Sequence, residues 1–347
     1  MNIVRIGIIC PSEIAFRRFM PAIKKLDCSE YIGVAHANAK EWFGDNEPNE
    51  ALLLSEKEKA EGFRKEYGGK VFDSYESLLT SPEVDAIYLP LPPALHYRWA
   101  KEALTHGKHI FLEKPSTTSF ADTSDLISVA KDKRLAVHEN YMFAFHKQIA
   151  EIQDIINSGK LGNIRLYRIA FGFPQRAKND FRYNKALGGG ALLDCGGYAI
   201  KLATMLLGET AKIAYSKLNY TDGFDVDIYG SAAMINDDGV TAQLSFGMDN
   251  SYKCELEVWG SKGFLRTGRI LTAPDGFEPT AEITIGSETE TVTLSPDDTF
   301  GKSIEHFCRC VKDAKTREEN YKKILKQAEL VDEVKGEYYG NIKNYRT

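Results

Sequence analysis

The sequence has no long uninterrupted hydrophobic run, no basic block, no internal repeat, no low-complexity segment and no C-x-x-C pair. Each absence excludes a class of protein. Apolar stretches are short and broken by charges, so no membrane-spanning helix is predicted. The net charge is −5, with 44 Lys and Arg and 49 Asp and Glu interspersed, which leaves no footprint for nucleic acid. The six cysteines are scattered, and Cys308 and Cys310 stand two apart on a predicted helix, pointing to different sides. Neither a disulfide framework nor a metal site is expected, and the cysteine usage fits a reducing cytoplasm. The N-terminal Met1-Asn2-Ile3-Val4-Arg5-Ile6-Gly7-Ile8-Ile9 lacks a basic n-region and a cleavage site; it reads as a strand rather than a signal peptide.

What is present is an ordinary globular composition, 43% hydrophobic and 27% charged over 347 residues, enough for about two domains. The first part alternates strands and helices. A strand over Ile3–Ile9 leads through Cys10-Pro11-Ser12-Glu13 into a helix over Ile14–Leu26. Strand, tight loop and helix form the dinucleotide-binding arrangement, but glycine is missing where its fingerprint has it: Cys10, Ser12 and Ala15 stand at the three small-residue positions. A second strand, Tyr31–Ala35, ends in His36-Ala37-Asn38-Ala39-Lys40. An acid there would favour NAD and an Arg NADP; with neither present, and with His36 and Lys40 at hand, NADP is expected over NAD. Residues 41–59 are charged and contain Pro48, which reads as a surface excursion before a helix over Ala60–Tyr67.

Further strands are expected at Val71-Phe72, Ala86–Leu89, His109–Leu112 and Leu135–His138, with helices over Ser74–Leu79, His96–His106 and Ser124–Lys131. The third clear strand runs directly into Leu89-Pro90-Leu91-Pro92, so the chain must turn at its carboxyl end, where ligands sit in open α/β sheets. The next ends at Glu113-Lys114-Pro115. Read alone, Lys114 is either a solvated turn lysine or a cation aimed into the ligand crevice, where it polarises a carbonyl and strengthens a neighbouring phenol as an acid. His96 reads as a capping or packed residue as readily as a ligand-binding one.

Near Tyr141 the pattern changes. A helix over His146–Ser158 is followed by β-rich runs separated by turn signals such as Asp237-Asp238-Gly239 and Gly260-Ser261-Lys262-Gly263, which predict hairpins and a largely antiparallel open sheet. Domains are therefore expected over 1–140 and 141–347. A final helix or pair, Gly301–Lys312 and Glu318–Glu337, is expected to return toward the first. Among the strands lies Gly188-Gly189-Gly190 followed by an apolar helix, Ala191–Leu207. Asp194 and Tyr198 are four apart and share one face near its start. The pair fits proton chemistry; it also fits a first-turn acid beside a packed aromatic. One sheet face should be covered by this helix and the other by a second subunit, giving a homo-oligomer, dimer or tetramer.

Taken together, Leu89-Pro90-Leu91-Pro92 with His96, Gly107-Lys108-His109 leading to Glu113-Lys114-Pro115, Glu139-Asn140-Tyr141-Met142-Phe143, and Gly188 to Tyr198 resemble the glucose-fructose oxidoreductase / inositol dehydrogenase / MocA family. The resemblance covers nearly the whole chain. Tyr198 resembles the branch holding dihydrodiol dehydrogenases and nucleotide-sugar 3-ketoreductases. Three stretches are similar to the latter: Ile14 to Arg18, Asp180 to Tyr183, and Thr241 to Met248 running on to Tyr252. It implies an α/β fold, an N-terminal Rossmann domain with a C-terminal α/β domain, and an NAD(P)-dependent oxidoreductase that interconverts a keto group and a hydroxyl on a sugar or nucleotide sugar. The implied catalytic residues are Lys114 and Tyr198, with Asp194 holding the sugar or the pair. The implied cofactor contacts are Gly7, Cys10, Pro11, Ser12, Glu13, Ile14, His36, Leu89, Pro90, Leu91, His96, Glu113 and Lys114. Tyr141, Arg176, Arg182, Tyr183 and Tyr252 are the substrate candidates. A dehydrogenase of a free aldose or dihydrodiol, or a silent dinucleotide or sugar sensor, are the other readings.

Overall fold

A computed structural model describes residues 3–336. The chain forms two compact units, 1–140 with 300–325 and 141–299 with 326–347. In the first, β1 (Val4–Ile9) passes through the Cys10 loop into a π-helical turn (Ala15–Phe19) and a short α1 (Met20–Ile23). There follow β2 (Ser29–Ala35), α2 (Ala39–Phe43), α3 (Glu50–Tyr67), β3 (Lys70–Phe72), α4 (Tyr75–Leu79), β4 (Ala86–Leu89), α5 (Pro93–Thr105), β5 (His109–Glu113), α6 (Phe120–Lys133) and β6 (Val137–Asn140). All pairings are parallel and the strand order is β3-β2-β1-β4-β5-β6. The order reverses between β1 and β4, which puts the crevice at the carboxyl ends of those strands. Because crossover helices cover both faces, β4 and β5 are almost wholly buried. The rings of Phe19 and Tyr88 stack with centroids 4.1 Å apart, and Phe111 packs edge-on to both.

Three expectations are corrected here. Residues 41–59 are no irregular excursion: Asn38 caps α2 in a reciprocal capping box with Glu41, and Asn49 caps an 18-residue α3 that runs through to Tyr67. The charges are the solvated face of helices that Asn38 and Asn49 cap. The helix expected over Ile14–Leu26 is a π turn joined to four α residues. The helix expected to start at His96 starts at Pro93, because proline suits a first turn whose N–H groups lack intrahelical partners anyway.

In the second unit a 3-10 turn (Met142–Phe145) leads to α7 (Lys147–Asn157), β7 (Ile164–Gly172), two 3-10 turns (Phe181–Tyr183 and Lys185–Leu187), a π turn (Leu192–Gly196) and α8 (Gly197–Leu207). Strands β8 (Lys212–Asn219), β9 (Tyr229–Ile235), β10 (Thr241–Gly247), β11 (Lys253–Gly260), β12 (Gly263–Gly268), β13 (Thr280–Ile285) and β14 (Glu288–Thr293) complete it. The eight-stranded sheet has the order β14-β13-β12-β11-β7-β10-β9-β8. Every pair is antiparallel except β10 with β7. Helix α8 packs on β7 and β10. Its segment, Lys185–Leu207, is the one stretch among the described residues long and apolar enough to span a membrane, and it is mostly buried as a core helix.

The last elements among the described residues are α9 (Thr299–Lys312) and α10 (Ala314–Lys335); Glu337, the expected end of the last helix, lies outside the described residues. Residues 300–325 complete the first unit's core. Asn320 Nδ2 donates to the Val137 carbonyl at 2.7 Å, Tyr321 Oη donates to that of Leu135, and Ser303 Oγ donates to Asn140 Oδ1 at 2.8 Å.

Candidate active site

The first unit carries a nucleotide-type loop. Cys10 takes φ 76°, the left-handed conformation that glycine ordinarily supplies at the head of such a loop. Its amide donates to Ala35, the Ser12 amide donates back to the Cys10 carbonyl at 2.9 Å, and Ser12 Oγ accepts from Ala15 N at 3.3 Å. The backbone therefore has the fingerprint's shape without its glycine, and this shape fits a dinucleotide. Burial pushes the Cys10 thiol pKa up to about 12, so the thiol stays protonated. Gly7 serves packing: a methyl there would collide with Leu78. Pro11 is buried and Ile14 half-buried, whereas Glu13 is exposed and pairs with Arg17. At the end of β2, His36 is 8% exposed and its Nε2 lies 3.4 Å from Asp73 Oδ1.

The ends of β4, β5 and β6 are knit together. Tyr88 Oη and Asn140 Nδ2 both donate to Glu113 Oε1 at 2.8 Å. Burial raises the Glu113 pKa and these donors oppose the rise. Glu113 is thus a buried brace beside Lys114, which is half-exposed at the end of β5. Ser116 N donates to Glu139 Oε1 at 2.8 Å and fixes the far side of the same turn. His96 is fully buried; Nδ1 is 2.8 Å from the Pro115 carbonyl and Nε2 is 2.7 Å from that of Leu91. It ties the Leu89-Pro90-Leu91 loop to the Lys114-Pro115 turn, a packing role that its sequence position did not distinguish from cofactor contact.

In the second unit the glycine run makes the helix start. Gly188 is left-handed, a methyl on Gly189 would meet the Arg182 carbonyl, and Gly190 has φ 120°. The helix expected as α throughout 191–207 opens with a π turn, closed by Gly197 N donating to the Leu192 carbonyl, a feature frequent at functional sites. Asp194 lies in that turn and Tyr198 at the start of α8. Asp194 Oδ2 accepts from Arg182 Nε at 2.7 Å, while Arg182 Nη1 reaches Asp180 Oδ1 at 3.2 Å. Arg182, expected at the substrate, uses its guanidinium to hold Asp194. Tyr198 is 7% exposed and its ring meets those of Tyr141, Phe143 and Phe171 at 5.2, 5.7 and 5.4 Å. Tyr141, another substrate candidate, is 1% exposed and serves as that ring's support.

The remaining candidates are more open. Tyr183 Oη donates to the Met248 carbonyl at 3.3 Å and accepts from Arg176 N at 2.9 Å. The Arg176 guanidinium lies 5.2 Å from the Phe173 ring centroid. Tyr252 is 48% exposed, with its hydroxyl 3.0 Å from Thr272 Oγ1. Among the described residues no group of three or more His, Cys, Asp or Glu is arranged to hold a metal ion.

A six-stranded parallel sheet in the order 3-2-1-4-5-6, with a fingerprint-shaped loop after its first strand, defines a Rossmann dinucleotide-binding unit. Residues 28–141 match the model of an oxidoreductase family with an NAD-binding Rossmann fold, and residues 149–266 match the GFO/IDH/MocA C-terminal domain. The chain belongs to the GFO/IDH/MocA oxidoreductase family. It is 34% identical over 334 residues to a dTDP-3,4-didehydro-2,6-dideoxy-alpha-D-glucose 3-reductase of Actinomadura kijaniata, covering 96% of this chain and 95% of the relative. A 3-ketoreductase of that organism, solved with NADP and TDP-benzene, superposes with a TM-score of 0.88 at 34% identity, covering 97% of this chain and 98% of the other. It is also 30% identical to a D-xylose 1-dehydrogenase (NADP(+)) of Haloferax volcanii over 251 residues, covering 71% of this chain and 75% of that one.

Proposed function

We propose that this protein is an NADP-dependent ketoreductase acting on a nucleotide-linked keto sugar. The observation that carries the reading is the 34% identity along 96% of the chain to a dTDP-sugar 3-reductase. The left-handed Cys10 loop and the residues at the ends of β4 and β5 would hold the dinucleotide. NADPH bound there supplies the hydride. Reduction of a ketone builds negative charge on its oxygen; Lys114 stabilises that charge and Tyr198 delivers the proton. Asp194, fixed by Arg182, orients the sugar or the Tyr198 hydroxyl. The absence of an acid at His36, with Lys40 on α2, supports NADP over NAD.

Subunit association belongs to the same reading. The sheet face turned away from α8 carries Arg168, Gln243, Glu257 and Arg266, linked by ion pairs and hydrogen bonds. They border a trough of about 780 Å³. Beside it Arg168 stacks over Trp259, which is 40% exposed. Such a face, with charges of both signs and an aromatic, suits a second copy of this chain in a cytoplasmic homodimer or tetramer. Light scattering that finds only a 38.9 kDa particle at micromolar concentration overturns this part.

The activity is tested by titrating the protein with NADPH and with NADH, then following reduced-cofactor absorbance with NADPH and the dTDP-linked diketo sugar and, separately, with NADP+ and D-xylose. Tighter NADPH binding and turnover of the nucleotide sugar support the reading; turnover of D-xylose alone moves it to a free-aldose dehydrogenase. Binding without turnover of either makes the protein a sensor. Tyr198→Phe is expected to bind NADPH normally and to lose roughly 10²–10⁴ in kcat.

A further inference from the structure

Asp227 lies in the connection between β8 and β9, more than thirty positions downstream of the Asp194 turn. Its backbone carbonyl accepts from Ala191 N at 2.8 Å, and its Oδ2 accepts from Leu192 N at 2.7 Å. These are two of the N–H groups that a helix start leaves without intrahelical partners. Ala191 itself supplies no side-chain cap, so Asp227 caps this start from a distant part of the sequence. A methyl on Gly190 would collide with Asp227 Oδ1; the last glycine of the run makes room for the carboxylate.

The carboxylate is 8% exposed. Burial pushes its pKa up to about 6, opposed by the Leu192, Asp227 and Ala191 N–H groups and by Lys335 of α10. Ionised Asp227 is thus held at neutral pH against its own burial by the N–H groups it caps. The same connection carries Phe224, whose ring is 5.0 Å from that of Tyr183.

We propose that Asp227 is a positioning residue that clamps the first turn of the Asp194–Tyr198 helix and so sets where both side chains stand for the reaction. The inference rests on the proposed ketoreductase reading for its functional half only. The test uses the full chain. Hydrogen exchange followed by mass spectrometry on the peptide spanning 190–196 is expected to quicken about fivefold to tenfold in Asp227→Ala, with peptides from β1 and α5 unchanged. With the dTDP-linked diketo sugar, kcat falls by a similar factor while the KM for NADPH stays within twofold. Asp227→Asn keeps an acceptor for Leu192 N and restores protection and most of kcat. It also moves the alkaline limb of the kcat profile to lower pH by about half a unit, because the helix's positive end is less compensated.

Wild-type exchange at 190–196 in Asp227→Ala overturns the clamp, and a uniform rise across all peptides reduces it to general stability. An unchanged pH profile in Asp227→Asn overturns the link to chemistry, and that variant decides the matter if Asp227→Ala does not fold. If the wild-type protein does not turn over the sugar, the functional reading fails while the exchange result still decides the clamp.

Discussion

Arg182 Nε and Asp194 Oδ2 lie 2.7 Å apart, and the two side chains are 21% and 11% exposed. A largely desolvated pair of this kind is costly to break by removing one partner. Arg182→Ala is expected to lower stability by about 3 kcal/mol, measured by urea denaturation, and to lower kcat at least tenfold with NADPH affinity unchanged. Arg182→Lys keeps the charge but loses the fork that reaches both Asp180 and Asp194, so it should fall between the two. Wild-type turnover in Arg182→Ala would remove Asp194 from the proposed chemistry.

Cys10 holds a left-handed backbone, which costs a non-glycine residue roughly 1–2 kcal/mol. Cys10→Gly relieves that strain and gives up the packing of one thiol. Its midpoint in denaturant should shift by no more than the equivalent of about 1 kcal/mol, with NADPH binding intact. Cys10→Val places a β-branched residue where such residues are true outliers and should lose both stability and cofactor affinity. Equal behaviour of the two variants would mean that the loop's conformation does not matter.

The cysteines should react in a definite order. A hydrogen bond from Cys308 is the main cause that lowers the pKa of the half-buried Cys28 thiol, whereas burial raises Cys10 and Cys254. Thiolate is the reactive form. Brief iodoacetamide treatment at pH 7, read by peptide mass, should label Cys28 first and leave Cys10 and Cys254 unmodified.

Asp227 also predicts a stability profile. An acid whose pKa rises from the ordinary 3.8 to about 6 on folding binds more protons in the folded state across that window. Its contribution to stability therefore falls as pH rises from about 4 to about 6, and is flat above. Asp227→Asn removes this slope. Its stability relative to wild type should grow across that interval by about 3 kcal/mol and then level off; a constant difference from pH 4 to 8 would contradict the burial of the charge.

Much of this was legible in the sequence because it follows from local rules. Prolines after Leu89 and Lys114 end strands, Gly239 and Gly263 mark hairpins, and alternation such as Ala242, Leu244 and Phe246 marks a half-buried strand. Local rules left Lys114, Asp194 and Tyr198 with structural readings beside functional ones, and it is the family resemblance that singles them out. What escaped depends on partners distant in sequence. Arg182 could not be matched to Asp194, nor Asp227 to Leu192, without the fold between them. His96 and Tyr141 look like ligand residues in a linear motif, and only the fold shows that both side chains are buried among packing partners. Helices α2 and α3 differ in kind: Asn38 and Asn49 are local caps, and the dense charge between them masks the helical pattern.

The nucleotide-binding unit draws on residues 300–325, whose Ser303, Asn320 and Tyr321 donate hydrogen bonds to Asn140, Val137 and Leu135. On the ribosome its six strands emerge first, yet they wait for that segment until the whole second sheet has been made. At 5–20 residues per second the wait is on the order of ten seconds or more. A chain cut short anywhere between 141 and 299 lacks the segment that completes the first unit at the ends of β5 and β6, so premature termination there leaves a nucleotide-binding fragment with unfilled hydrogen bonds in its core.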